Sequence, residues 1–274
     1  MNSFEKAKFW LKNAEAVIVT AGNGFSKQEG LDILSEENFD KEFSEIAKKY
    51  DVHTIGDALD KQFDSWSEQW SFWSELVNKY SLNYQASDSM RKLKEMLKDK
   101  EYFIATSSFG HFFESAGFDS KQIFNIFGDW TRMQCSSGLN HGQKSALEAI
   151  KKILLAKKDG KGINDSLVPK CEDCNSPMEL HMPLNGNFFP DEDANTRFRW
   201  FLTNNENKDV VVLELGVDMT SPQLLDPVAN LVMQFKNWHY IAADLVSEDL
   251  PKELKEKSVA FGLNSNKVIE KLSK

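Results

Sequence analysis

AEAVIVTAGNGFSKQEG, residues 14–30, is the stretch on which the fold turns. Its first half, AEAVIVT (14–20), is an apolar, β-branched run of strand length, and Gly22, Gly24 and Gly30 follow at once. A buried strand running into a glycine-bearing turn is how nucleotide-binding α/β folds begin. The dinucleotide fingerprint of dehydrogenases, G-x-G-x-x-G, would need a third glycine at 27, where Lys27 stands. Hydride transfer is therefore a minor alternative. The turn still offers backbone N–H groups to a phosphate, with a helix N-terminus expected just after it. Taken alone, such glycines are as often only a tight turn.

Working outward, YFIATSS (102–108) is a second strand, preceded by the charged amphipathic helix SMRKLKEMLKDK (89–100). DVVVLELG (209–216) is the strongest strand pattern in the chain. WHYIAAD (238–244) is a further strand, reached through a helix around LLDPVANLVMQF. Strands alternating with helices predict an α/β fold, a doubly wound parallel sheet of Rossmann-like type. Residues 1–130 and 181–274 are expected to form this domain, with a helical insert at about 35–85, and 131–180 a small cysteine-rich module. In the insert, Phe63, Trp66, Trp70, Trp73, Val77 and Tyr80 recur at three- and four-residue steps, so they line one helix face. A packed helix–helix seam explains that stripe better than an aromatic cage. GQKSALEAIKKILLAKK (142–158) is expected to be a second charged helix.

The whole chain of 274 residues, 41% hydrophobic and 27% charged, suits one large α/β domain with a small appended module. A net charge of −9 argues against nucleic-acid partners, because no basic stripe could meet a phosphate backbone. No apolar run approaches the ~20 residues of a membrane span. The start, MNSFEKAKFWLKNAE, reads as an amphipathic helix and not a signal peptide. Only three cysteines occur, two of them in a Cys-x-x-Cys pair, Cys171 and Cys174. That pattern fits metal ligation or thiol chemistry in a reducing, cytoplasmic setting better than a disulfide framework. Cys135 lies upstream, and zinc in a structural site wants four ligands. His141 is the nearest nitrogen donor that could complete a Cys3His set; a metal-free module held by packing is the alternative.

In order along the chain, these segments resemble the sirtuins. AVIVTAGNGFSKQEGLDIL is similar to that family's opening strand and Gly-Ala-Gly-x-Ser loop, with Gly22, Gly24 and Ser26 matching. FIATSSFGHFFESAGF resembles its Thr-x-Asn-x-Asp segment ending in Ala-Gly, here Ala116 and Gly117. IFNIFGDWTRMQCS resembles the stretch with the catalytic histidine and first zinc cysteine, and VPKCEDCNSPMEL the second half of the zinc ribbon. The macrodomain-linked microbial branch, class M, is nearer still. Its tryptophan-rich helix, Gly-Asp-aromatic step and late strand are similar to WSEQWSFWSELVNKY, Gly128-Asp129-Trp130 and LELGVDMTSP.

The resemblance implies a sirtuin fold that binds NAD or ADP-ribose and passes ADP-ribose to an acyl-lysine or a protein acceptor. It assigns the ligand to Ala21, Gly22, Asn23, Gly24, Ser26, Thr106, Ser107, Ser108, Phe127, Gly216, Val217, Thr220, Ser221 and Asp244. Departures fall on the chemistry. Ser108 stands for the family's asparagine, Gly110 for the aspartate that grips the nicotinamide carboxamide, and Phe127 for the catalytic histidine or glutamine. A general base is commonly worth about two to four orders of magnitude in rate, so a weakened activity is expected. Ser108, His111 and Asp129 are the remaining catalytic candidates, and a histidine beside so many aromatics is expected to be a packed, hydrogen-bonded residue. Rival functions are a non-catalytic ADP-ribose or nucleotide sensor, and an NAD hydrolase.

Overall fold

The computed structural model describes residues 2–160, 163–184, 186–217, 222–246 and 249–274, with the backbone alone for 222–226. Strands run in the order β1 Ala16–Ala21, β2 Glu101–Thr106, β3 Ile123–Asn125, β4 Asp129–Cys135, β5 Gln143–Ser145, β6 Met178–His181, β7 Val210–Leu215, β8 Trp238–Ala242 and β9 Ser258–Ala260. They form a six-stranded sheet, β3-β2-β1-β7-β8-β9, and a three-stranded sheet, β5-β4-β6. Every pairing in the larger sheet is parallel, and every one in the smaller is antiparallel.

Every residue of β1 and β7 is buried, which is why both read as unbroken apolar runs in the sequence. Alternate side chains feed two cores. Val17, Val19, Val211 and Leu213 pack with Trp10, Leu11, Met90, Leu93 and Ile269 on one face. Ile18, Val210, Val212 and Tyr240 pack with Ala194, Phe201, Val228 and Val232 on the other. The expected doubly wound sheet is thus the one observed. Among the described residues, no helix is long and apolar enough to cross a membrane.

The strand boundaries shift by a residue or two from expectation, and β3 and β9 were not foreseen. Both are three-residue strands at the sheet edges, too short to show a period. The helix expected over 142–158 is also corrected. Gln143–Ser145 pairs with Gln134–Arg132 as an edge strand, and the helix spans Leu147–Lys158. Its charged first turn mimicked a helical pattern that the antiparallel partner overrides.

The insert contains the helices Glu36–Glu42, Ser44–Tyr50, Ile55–Asp60 and Trp66–Val77, the last continuing into a π-helical turn, Asn78–Leu82. Its aromatic stripe is core, as expected: Trp70 and Trp73 are fully buried, and their rings meet edge to face. The Trp70 indole N–H donates to the Met178 carbonyl at 2.8 Å. Insert and smaller sheet therefore share one core, to which Ile150 and Ile153 of the helix Leu147–Lys158 contribute.

Near the carboxyl end of the larger sheet, Glu214 of β7 lies beside Thr20 of β1 and is 1% exposed. Its Oε2 accepts from the Tyr240 hydroxyl, while Oε1 has no partner among the described residues. Burial pushes this carboxyl up to about 8; the Tyr240 hydrogen bond opposes the shift and the Asp244 charge adds to it. The folded chain therefore keeps a proton that the unfolded chain releases near the ordinary carboxylate range. Stability from this group is full at acid pH and is lost progressively as pH rises to about 8. Glu214→Gln should remove this slope. Its melting temperature relative to the unsubstituted protein should rise between pH 5 and pH 8.5, and a pH-independent difference would contradict this assignment.

Candidate functional site

In the larger sheet the chain passes from β3 across to β7, which pairs with β1. The strand order reverses there, and ligands of open α/β sheets bind at the carboxyl ends of the strands at such a point. The loops after β1, β2, β7 and β8 all lie on this edge because the strands are parallel. They carry the sequence-predicted residues Ala21 to Ser26, Thr106 to Ser108, Gly216 with Val217, and Asp244. Thr220 and Ser221 lie outside the described residues.

The two glycine turns interlock. The amides of Gly22 and Gly24 donate to the carbonyls of Leu215 and Gly216, each at 3.0 Å. A Cβ on Gly216 would sit 2.0 Å from the Phe25 nitrogen, and one on Gly22 2.5 Å from the Gly216 oxygen. Gly216 also holds a positive φ of 59°. These glycines are therefore required by backbone-on-backbone contact. The short helix Asn23–Gln28 follows directly, and the Phe25 and Ser26 amides return to the Gly22 carbonyl. The expected phosphate cradle is corrected to this extent: among the described residues, four of the five amides from Gly22 to Ser26 bond to backbone carbonyls. Asn23 carries the fifth.

Across the edge, Thr106 Oγ1 donates to the Ala21 carbonyl at 2.9 Å and accepts the Ser108 amide at 3.0 Å. Asp244, at a positive φ of 69°, is exposed; its Oδ2 accepts from the Gly216 amide and the Ser265 hydroxyl at 3.1 and 2.6 Å. Glu29 does not reach this edge as a free carboxylate, since Tyr84 and Ser87 donate to its two oxygens.

The loop after β2 leaves no room for a side chain at Gly110. A Cβ on Gly110 would lie 2.5 Å from the Phe112 ring, which fills the space an aspartate would need. The ring is buried and packs against Tyr84. Ser81, in the π-helical turn, donates to the Gly110 carbonyl at 2.7 Å and accepts from the fully buried Trp130 indole. Ser108 is also buried, its hydroxyl accepting from the Gly110 amide. Phe127 is half-buried beside Gly128, whose positive φ brings its backbone against the His181 carbonyl.

His111 is packed and hydrogen-bonded, as expected. It occupies the left-handed region at φ 60°, ψ 25°, a strained conformation for a non-glycine residue that clusters at functional sites. Its Nδ1 lies 2.6 Å from Asp129 Oδ2, and Asp129 Oδ1 accepts from the amide and hydroxyl of Thr131 at 2.8 and 2.7 Å. Glu114 Oε2 is 3.7 Å from the same ring nitrogen. All three side chains line a cavity of about 320 Å³ between the edge of the larger sheet and the smaller sheet. Burial alone would lower the His111 pKa, but the hydrogen bond and charge of Asp129, with Glu114, raise it overall. Asp129 is likewise opposed by burial and held low by His111 and Thr131. Glu114 is raised by burial and by the Asp129 charge. A carboxylate that fixes an imidazole through one nitrogen leaves the other free as a base, as in hydrolytic triads.

The cysteine cluster assembles as its spacing predicted. Cys135 ends β4, His141 lies in the β4–β5 loop, and Cys171 and Cys174 occupy a tight turn before β6. Cys135 Sγ is 3.4 Å from Cys174 Sγ, and Cys171 Sγ 3.3 Å from His141 Nδ1. All four donor atoms lie within 4.8 Å of one another. Bonds of about 2.0–2.3 Å around a tetrahedral zinc place donors roughly 3.5–3.8 Å apart, so modest adjustment of this set fits the ion.

No protein-family model matches the chain. A protein ADP-ribosyltransferase of Staphylococcus aureus is 25% identical over 255 residues, covering 91% of this chain and 80% of that one. A probable bifunctional ADP-ribose hydrolase/ADP-ribosyltransferase of Fusarium oxysporum f. sp. cubense is 27% identical over 251 residues, or 85% of this chain. The match spans only 40% of that fungal protein. Among solved structures, a Sir2 homologue in complex with NAD superposes with a TM-score of 0.64 at 16% identity, covering 98% of this chain and 92% of the other. A Sir2 homologue variant in complex with ADP-ribose gives 0.61 at 15% identity, covering 100% and 95%. The chain has the Sir2 fold, as its ordered motifs implied.

Two outcomes follow from this geometry. Gly110→Asp should not rebuild a carboxamide grip, because the Phe112 ring must first be displaced; overpacking of this kind costs about 1–3 kcal/mol. Chemical denaturation should show that loss, and an unchanged midpoint would mean the ring moves freely. Protein purified without chelator should carry one equivalent of zinc by elemental analysis. Cys171→Ser should lose most of it and melt earlier, whereas less than half an equivalent in the unsubstituted protein would favour the metal-free alternative.

Proposed function

We propose that the protein binds NAD or ADP-ribose at the carboxyl edge of its parallel sheet and transfers ADP-ribose to a protein acceptor, more slowly than a sirtuin with the full polar set. The observation that carries this proposal is the convergence of the loops after β1, β2, β7 and β8 on the strand-order reversal. The adjoining His111–Asp129 pair supplies a base that Phe127 cannot be. Solved sirtuins bound to NAD and to ADP-ribose share the fold, and the two curated relatives carry ADP-ribosyltransferase names. Their kinship supports the class M resemblance.

Within this proposal, Ala21 to Ser26, Gly216 with Val217, and Asp244 hold the adenosine and pyrophosphate half. Among the described residues, Asp244 keeps one carboxylate oxygen for ribose hydroxyls. Thr106, Ser107, Ser108 and Phe127 border the nicotinamide half, where Gly110 and Phe127 offer no polar side chain. Thr220 and Ser221 are retained only on the sequence resemblance. Residues 131–180 form the small lobe, with Cys135, His141, Cys171 and Cys174 holding a structural zinc. A reducing cytoplasmic setting suits cysteines that form no disulfide.

His111 accepts the proton released by the attacking group through Nε2, while Asp129 fixes the ring and stabilises the imidazolium. The filled space at Gly110 favours a second function, non-catalytic recognition of ADP-ribose. Calorimetry with both ligands and an assay of nicotinamide release distinguish the two. ADP-ribose should bind at least as tightly as NAD, nicotinamide should appear slowly, and His111→Ala should lower its release about 100-fold or more. Release unaffected by His111→Ala would remove the dyad from the mechanism. Binding of ADP-ribose without any release would favour the sensor. Failure to bind either ligand would overturn the nucleotide site.

A further inference from the structure

His111, Glu114 and Asp129 bring an imidazole and two carboxylates to one point. His111 and Glu114 are three residues apart on the short turn after β2, and Asp129 opens β4. One donor atom from each lies within 4.8 Å of the other two. His111 Nδ1 is 2.6 Å from Asp129 Oδ2 and 3.7 Å from Glu114 Oε2. Metal bonds of about 2.0–2.2 Å set neighbouring donors roughly 3.0–3.4 Å apart, a span that these two distances bracket.

The other oxygen of each carboxylate is tied down from outside the cluster. Asn125 Nδ2 donates to Glu114 Oε1 at 2.8 Å, and the amide and hydroxyl of Thr131 donate to Asp129 Oδ1. Outer hydrogen bonds of this kind orient the ligands of metal sites. The three ligand atoms face one another, so an ion takes the centre they share and not the open cavity. The His111 side chain is 29% exposed and gives the way in. The cavity of about 320 Å³ that all three residues line leaves room for water on the ion's open side.

Charge balances as well. Asp129 is held low, whereas His111 and Glu114 are both raised towards their protonated forms. With both protonated the cluster is neutral, and a divalent cation that displaces those two protons leaves it neutral again. Arg132 lines the same cavity and opposes a cation, but it is exposed to screening solvent.

We propose that His111 Nδ1, Asp129 Oδ2 and Glu114 Oε2 bind a divalent first-row cation, with Mn²⁺ or Zn²⁺ matching their mixed nitrogen and oxygen set. The ion replaces one proton on the imidazole and one on the Glu114 carboxyl, and both protons leave to solvent. A metal on Nδ1 leaves the ring's remaining proton on Nε2, the atom that serves as base in the transfer function proposed above. The bound ion therefore holds transfer in check, a consequence that rests on that function, whereas the metal site does not.

Manganese(II) chloride is the probe, because Mn²⁺ disfavours the thiolates of the cysteine cluster. Titrated into the protein as purified and followed by calorimetry, it should bind saturably at one equivalent per chain. Pulsed electron paramagnetic resonance of the bound ion should show coupling to an imidazole nitrogen. Glu114→Gln and, independently, His111→Ala should weaken binding about tenfold or more, with circular dichroism checking that each variant folds. Asp191→Asn changes the cavity wall outside the cluster and keeps a helix-capping side chain, so it should bind Mn²⁺ as the unsubstituted protein does. No saturable binding, a bound ion without nitrogen coupling, binding unaltered in both cluster variants, or equal weakening by Asp191→Asn overturns the proposal. Nicotinamide release should fall as the site fills. Absence of release in metal-free buffer would count against the transfer function and leave the metal result standing.

Discussion

The contact between two backbones at the strand-order reversal is the constraint on which this structure depends. Gly22 and Gly24 on one side and Gly216 on the other approach so closely that a single methyl group would separate them. Their amide–carbonyl bonds close the gap between β1 and β7 just where the parallel strands end. Three otherwise independent loops are fixed by that closure. Thr106 bonds back to Ala21, Asp244 bonds to Gly216, and Ser265 bonds to Asp244, so loops distant in sequence are held as one edge. Without the glycines, the side chains on this edge would have no common frame.

A second connection joins the large sheet to the small one. Ser81 sits in a π-helical turn. It bonds at once to the Gly110 carbonyl and the Trp130 indole, linking the helical insert, the loop after β2 and the start of β4. Trp70 makes the matching bond from the insert to β6. The insert therefore acts as a brace between the sheets, and its tryptophans owe their spacing to that packing.

Gly110 and the conformation of His111 belong to one tightly packed loop. The Phe112 ring occupies the space beside Gly110, and the backbone at His111 lies in the left-handed region. A non-glycine residue there costs about 1–3 kcal/mol. The ion pair and hydrogen bond with buried Asp129 are the interactions that offset it.

Local pattern alone determined much of the fold. AVIVTA and VVVLEL are apolar because both faces of a central parallel strand are covered, and Gly22 and Gly24 announce the turn after the first of them. The cysteine set was legible for a similar reason: Cys171 and Cys174 share one tight turn, so their spacing fixes their separation. Short edges such as Ile123–Asn125 and Gln143–Ser145 were not legible, because three residues carry no period and their pairing comes wholly from a neighbour. Nor could the sequence say that Phe112 fills the space at Gly110, or that His111 meets an aspartate eighteen positions away. Residue type records what a side chain is able to do, whereas the partner that decides whether it does so comes from distant segments. Only the tertiary structure, by closing the glycine turns and setting the small sheet against the large one, brings those segments within hydrogen-bond reach.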